Sequence, residues 1–151
     1  LDISQEHRHK VAIVILHQNG HFLLQLRDDI PGILYPGHWA LFGGHLEPGE
    51  HPDEAIRREL VEEISYAPAM LTPFGFYEDI QVVRCVYQGV LDVDLSQLVL
   101  KEGWDMALAS VEDIRRGDRY SHQANQTRPL GKPHQRILLD FIEGSALRPH
   151  H

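Results

Sequence analysis

Glu59, Glu62 and Glu63 fall within five residues in "AIRRELVEEIS", and four more acids, Glu47, Glu50, Asp53 and Glu54, precede them. Only Arg57 and Arg58 answer them in that stretch. At about 100° per residue, the three glutamates occupy about a third of a helix circumference. Ile56, Leu60 and Ile64 form the adjoining apolar stripe, so these acids border the buried face instead of opposing it. Carboxylates crowded at such a border repel and desolvate one another unless a cation joins them. Hard divalent cations take oxygen ligands, and Mg2+ commonly takes one or two carboxylates together with waters and substrate phosphates. The alternative is a solvated acidic face.

The elements that must carry these side chains are legible in outline. "KVAIVILHQNGHFLLQLRD" predicts a β-hairpin, with Val11 to Leu16 apolar on both faces and Asn19-Gly20 suited to a type I′ turn. A Pro/Gly-punctuated loop, "DDIPGILYPGHW", leads to the short strand "ALFGG". Pro52 fits a helix first turn, Asp53 and Glu54 suit its positive end, and the helix is expected to run to about Ile64. "APAMLTPFGFYED", "IQVVRCVYQGVLDVD" and "GWDMALAS" predict three more strands. "SVEDIRRG" predicts a short helix capped by Ser110 and stopped by Gly117, and "KPHQRILLDFIEG" a closing amphipathic helix. Residues 118–132 are polar and are expected to form a loop. The pattern points to an α/β or α+β fold, a mixed sheet with two or three helices in a single domain over residues 1–151.

Gly44, Glu50 and the run Arg58-Glu59-Leu60-Val61-Glu62-Glu63 resemble the Nudix box of the Nudix hydrolase family. That pattern fixes nine positions over the twenty-three residues from Gly44 to Tyr66, and the chain departs at Ser65, where the family has glycine. Serine can take the left-handed helix end that glycine eases, at a cost of about 1 kcal/mol, so a slightly different helix exit is expected. The resemblance implies an α/β/α sandwich with a mixed sheet between helices. It implies a divalent metal, Mg2+ or Mn2+, held by Glu59, Glu62, Glu63 and the carbonyl of Gly43. Glu50 and Arg58 would orient the loop on the helix, and Gly44 would support the site. The implied reaction is hydrolysis of a diphosphate linkage in a nucleoside diphosphate joined to another group. The base would be one of the box glutamates or a later residue, with Glu102 first and Asp105 second.

Other assignments carry less of the pattern. Arg27 could meet a phosphate, Tyr35 and Trp39 could stack on a base, and His45 could face the metal; each also has a plain structural role open to it. Residues 1–114 carry seven basic and nineteen acidic side chains, net −12, while residues 115–151 carry seven and three, net +4. A generic nucleic-acid surface is disfavoured by the total of −8, though Arg115, Arg116, Arg119, Arg128 and Lys132 could lend local positive potential. No apolar run reaches the roughly 18 residues of a membrane span. The eleven histidines show no zinc-ligand spacing on a common element. The lone Cys85 and the lack of a charged-then-apolar leader in the residues shown lead us to expect a cytoplasmic protein, and the resemblance implies a small-molecule diphosphate as its substrate. Homodimers are common in the family. A non-hydrolytic nucleotide or nucleotide-sugar sensor is the alternative. An isoprenyl diphosphate isomerase would need a catalytic cysteine, and Cys85 lies in an apolar strand.

Overall fold

Val11 to Leu16 are all buried, as a run that is apolar on both faces requires. They lie in β1 (His9–Gln18), which is followed by β2 (His21–Leu26), β3 (Trp39–Ala40), β4 (Phe42–His45), helix α1 (Pro52–Ile64), β5 (Thr72–Glu78) and β6 (Val82–Val90). Then come a 3-10 turn at Leu95–Gln97, β7 (Asp105–Ala109), α2 (Val111–Arg116), β8 (Asp118–Ser121), β9 (Gln126–Pro129) and α3 (Lys132–Leu147). The computed structural model describes residues 8–147. Asn19 and Gly20, between β1 and β2, both have positive φ (52° and 75°), the geometry a type I′ turn demands. Among the described residues no helix is long and apolar enough to cross a membrane.

The chain forms two compact units, one from the residues up to Gln18 with Phe42–Lys101, the other from Asn19–Leu41 with the residues from Glu102 onward. In the first unit β1 pairs antiparallel with β4, Val11 opposite His45 and Val14 opposite Phe42. It pairs parallel with β6 from His9–Val82 to His17–Val90, and β6 pairs antiparallel with β5. The sheet is therefore mixed, as expected. Helix α1 buries Ala55, Ile56, Leu60, Glu63 and Ile64. Burial of each large aliphatic there contributes roughly 2 kcal/mol. The helix opens with Pro52 in its first turn and with Glu54 accepting from the His51 amide at 3.4 Å. It closes at Ser65, which takes φ 56° and ψ 33° while its amide donates to the Val61 carbonyl at 3.0 Å. Ser65 thus takes the left-handed helix end that glycine would ease.

In the second unit β2 pairs antiparallel with β3, Leu26 opposite Trp39, and with β7, Phe22 opposite Ala109. Helix α2 is capped as its sequence predicts: Ser110 Oγ accepts from the Asp113 amide at 3.1 Å, and Gly117 ends it at φ 88°. The expectation of a loop over residues 118–132 is corrected. Asp118–Ser121 and Gln126–Pro129 pair as a hairpin, turned through Asn125 at φ 55°. Its residues are polar and mostly exposed, so the alternation that marks a half-buried strand is missing from the sequence. Tertiary contacts hold it instead. Trp39 Nε1 donates to the Arg119 carbonyl at 2.9 Å, and Ser121 Oγ donates to Asp105 Oδ2 at 2.6 Å.

Candidate functional site

Strand β4 ends in Gly43-Gly44-His45, and two glutamates of α1 lie against this backbone. The Gly43 amide donates to Glu63 Oε1 at 3.1 Å, and Glu63 is buried, only 6% exposed. A Cβ on Gly44 would collide with the carboxylate of Glu59, so Glu59 lies directly over that residue. Gly43 has φ +147°, and a Cβ there would run into the backbone carbonyl of Ala12. Gly43 is thus required by its close approach to a neighbouring strand, whereas Gly44 leaves the space that the Glu59 carboxylate occupies.

Arg58 is the centre of charge in this loop and helix. Its Nε and Nη2 donate to the two oxygens of Glu50 at 2.8 and 3.0 Å, a bidentate pair that matches a planar guanidinium to a carboxylate. Nη1 meets Glu59 at 3.1 Å and Glu62 at 3.3 Å, and Nη2 donates to the His45 carbonyl at 3.2 Å. Glu50 Oε1 also accepts from the Glu47 amide at 2.9 Å. The Arg58 hydrogen bond, reinforced by the Glu47 amide, pulls the Glu50 carboxyl from 4.5 down to about 2. Glu50 raises the Arg58 guanidinium above its ordinary value in return.

Glu59, Glu62 and Glu63 supply hard oxygen donors, the chemistry that suits a divalent cation. Two of them share Arg58 as counter-ion, and Glu62 is 58% exposed. Among the described residues no three His, Cys, Asp or Glu side chains are drawn close enough to hold a metal as they stand.

The remaining expected residues scatter. Glu102 is exposed in the second unit, ahead of β7. Asp105 accepts from Ser121 Oγ and, at 2.7 Å, from the Met106 amide. Arg27 Nε donates to the Leu34 carbonyl at 2.6 Å, within its own loop. Tyr35 is half-buried, edge-on to His38 and His134. Trp39 corrects an expectation: it is 0% exposed, with the Arg119 guanidinium 5.5 Å over its ring, so it offers no face to a base. His45 is exposed and meets His9 edge-on, ring centres 5.4 Å apart. Three of the basic residues are engaged by neighbouring groups. Arg116 pairs with Asp113 and Asp118, Arg119 donates to the Leu108 carbonyl, and Arg128 donates to the Gly37 carbonyl. Cys85 is buried, and burial pushes its thiol up, away from the thiolate that nucleophilic chemistry needs. Sequence reasoning missed the Gly43 amide as the anchor of Glu63, and it missed His134, whose Nδ1 accepts from the Leu41 amide. Nothing local marks either contact.

A family model described as the NUDIX domain matches residues 6–130. The nucleoside triphosphatase NudI of Salmonella agona (strain SL483) is 42% identical over 74 residues, covering 48% of this chain and 52% of that protein. The NudI protein of Salmonella arizonae matches to the same extent, so the chain spans about half the length of the curated relatives it matches. Among solved structures, the MutT NUDIX hydrolase of Burkholderia pseudomallei is similar with a TM-score of 0.68 at 18% identity, over 87% of this chain and 96% of that one. The NUDIX domain of Shewanella oneidensis NrtR, solved with ADP ribose, has a TM-score of 0.68 at 16% identity, over 90% and 87%. At such identities the likeness carries the fold alone, an α/β/α sandwich with a mixed sheet.

Proposed function

Because the chain belongs to the NUDIX family, we propose that it is a metal-dependent pyrophosphohydrolase acting on a nucleotide or another nucleoside diphosphate joined to a small group. The observation that carries this reading is the placement of Glu59 and Glu63 on Gly44 and Gly43, with Glu62 one turn from Arg58 and Glu50 bracing Arg58. Glu59, Glu62, Glu63 and the Gly43 carbonyl would hold Mg2+ or Mn2+, which supplies charge shielding for the diphosphate and acidity for water.

The chain's own groups do the positioning. Glu63 is anchored by one oxygen to the Gly43 amide, which fixes the plane of its carboxylate for proton transfer. The Glu50–Arg58 pair ties the loop to the helix, so Glu59 and Glu62 keep their spacing when phosphates arrive. Glu102, on the loop before β7, is the alternative candidate for the base. Exposed His45, next in the chain to Gly44, is the substrate contact we favour over Arg27 and Tyr35, whose groups already serve their own loop. The nucleoside triphosphatase relatives support a nucleotide, and intact glutamates at all three positions weigh against a sensor that does not cleave. A reducing cytoplasm suits the single buried thiol. Homodimerisation belongs to the same proposal and is read by light scattering.

The test is a hydrolysis screen over nucleoside triphosphates, nucleotide sugars and dinucleotides with Mg2+ and Mn2+, using Glu63→Gln as the background. Turnover is expected to fall by about 10²- to 10⁴-fold in the variant, the range for a lost acid–base group. Its far-UV spectrum should be unchanged. Undiminished metal-dependent hydrolysis by Glu63→Gln would overturn the assignment.

A further inference from the structure

Leu41 lies between β3 and β4, outside both strands. Its amide takes a side chain as acceptor: His134 Nδ1, 3.2 Å away on the first turn of α3. His134 is only 8% exposed. A ring nitrogen that accepts carries no proton, so the neutral imidazole holds its proton on Nε2. The adjoining backbone is tied in the same way. The Gly131 amide donates to the Trp39 carbonyl at 2.9 Å, and Leu130 forms a parallel bridge with Trp39. Leu130 and Gly131, just ahead of α3, thus pair with Trp39, and His134 in its first turn takes the Leu41 amide.

Tyr35 holds the imidazole in place. Its ring meets His134 edge-on, centres 6.1 Å apart at 88°, and has His38 on another side at 5.8 Å. Tyr35 has φ +51°, which a bulky L-residue adopts only where its surroundings impose it. Its carbonyl accepts from the His38 amide at 3.2 Å, and two arginines brace the loop on either side. Arg27 Nε donates to the Leu34 carbonyl at 2.6 Å, and Arg128 Nε donates to the Gly37 carbonyl at 2.8 Å. Gly37 has φ +66°, and any Cβ there would collide with the Arg128 guanidinium.

We infer that His134 is a positioning residue: it is the acceptor that sets the Leu41 peptide, and with it the path of the chain into Phe42-Gly43-Gly44, while Tyr35 and the Arg27–Arg128 clamp hold its ring. What that path serves rests on the hydrolase reading above. Leu41 stands two residues before Gly43, so a tilt of its peptide is passed covalently toward the amide that anchors Glu63.

Three variants separate this role from packing alone. His134→Asn places an amide oxygen close to the position of Nδ1, His134→Gln places one near Nε2, and His134→Leu keeps bulk without an acceptor. The Asn variant should keep kcat within about threefold, while Gln and Leu lose about ten- to hundredfold with KM little changed, the scale of a small misplacement of reacting groups. Hydrogen exchange at the Leu41 amide should stay slow in the Asn variant and accelerate in the other two. Tyr35→Ala should lower kcat less than His134→Leu does. Equal kcat in Asn and Gln, or losses that only track Tm, would overturn the inference. Should His134→Leu not fold, the Asn–Gln pair decides alone. If the wild-type protein hydrolyses nothing on the panel, the hydrolase reading fails, and exchange at Leu41 in the same variants still decides this one.

Discussion

Glu50 shows how much one ion pair shapes the loop. Its carboxyl is drawn from 4.5 to about 2, chiefly by the Arg58 guanidinium and then by the Glu47 amide. A carboxyl whose folded value lies below its unfolded one adds stability above the unfolded value and loses it as pH falls toward the folded value. Chemical denaturation at a series of pH values should therefore show wild type losing stability between 4.5 and about 2 more steeply than Glu50→Gln. The variant should also be the less stable of the two near neutrality. Parallel profiles would mean that Arg58 contributes nothing through Glu50. Ser65 is the opposite case at this scale, a residue tolerating a conformation it does not prefer. At φ 56° it bears about 1 kcal/mol of strain and still ends the helix as glycine would.

At the scale of elements, β4 and α1 meet through two glycines that need their missing side chains for different reasons. In Gly44→Ala the new methyl meets the far end of the Glu59 side chain, which can swing away. That variant should stay folded, with Tm close to wild type, and lose most of its metal-dependent turnover as Glu59 is displaced. In Gly43→Ala the methyl meets the Ala12 backbone, at a φ of +147° that L-residues rarely adopt. A loss of more than about 2 kcal/mol in unfolding free energy is expected there. Similar Tm values for the two variants would contradict this division. The span of α1 was legible because Pro52, the first-turn acids and the Ile56–Leu60–Ile64 stripe are local signals. The β8–β9 hairpin was not, because Trp39 and Asp105 hold it from distant parts of the chain.

For the whole molecule, the proposed metal site would link cation binding to folding. A cation that binds only the folded chain stabilises it by about 2.7 kcal/mol at a hundredfold excess over its dissociation constant. For a protein of this size that corresponds to a Tm rise of roughly 5–10 °C. Thermal melts in Mg2+ and in EDTA should differ by that order in wild type and by much less in Glu59→Gln. A melt indifferent to Mg2+ in both would remove Glu59 from the proposed ligands.

The sequence by itself determined the family, the span of α1 and the acids along its border. These depend on spacing along the chain, which helix periodicity and turn chemistry translate directly into geometry. Tertiary structure alone decided that Glu63 is anchored by an amide 20 residues away, that Trp39 is buried beneath Arg119, and that Leu41 finds its acceptor 93 residues on in His134. Those contacts satisfy polar groups shut away from water, and which distant partner satisfies them is set only when the packed elements meet.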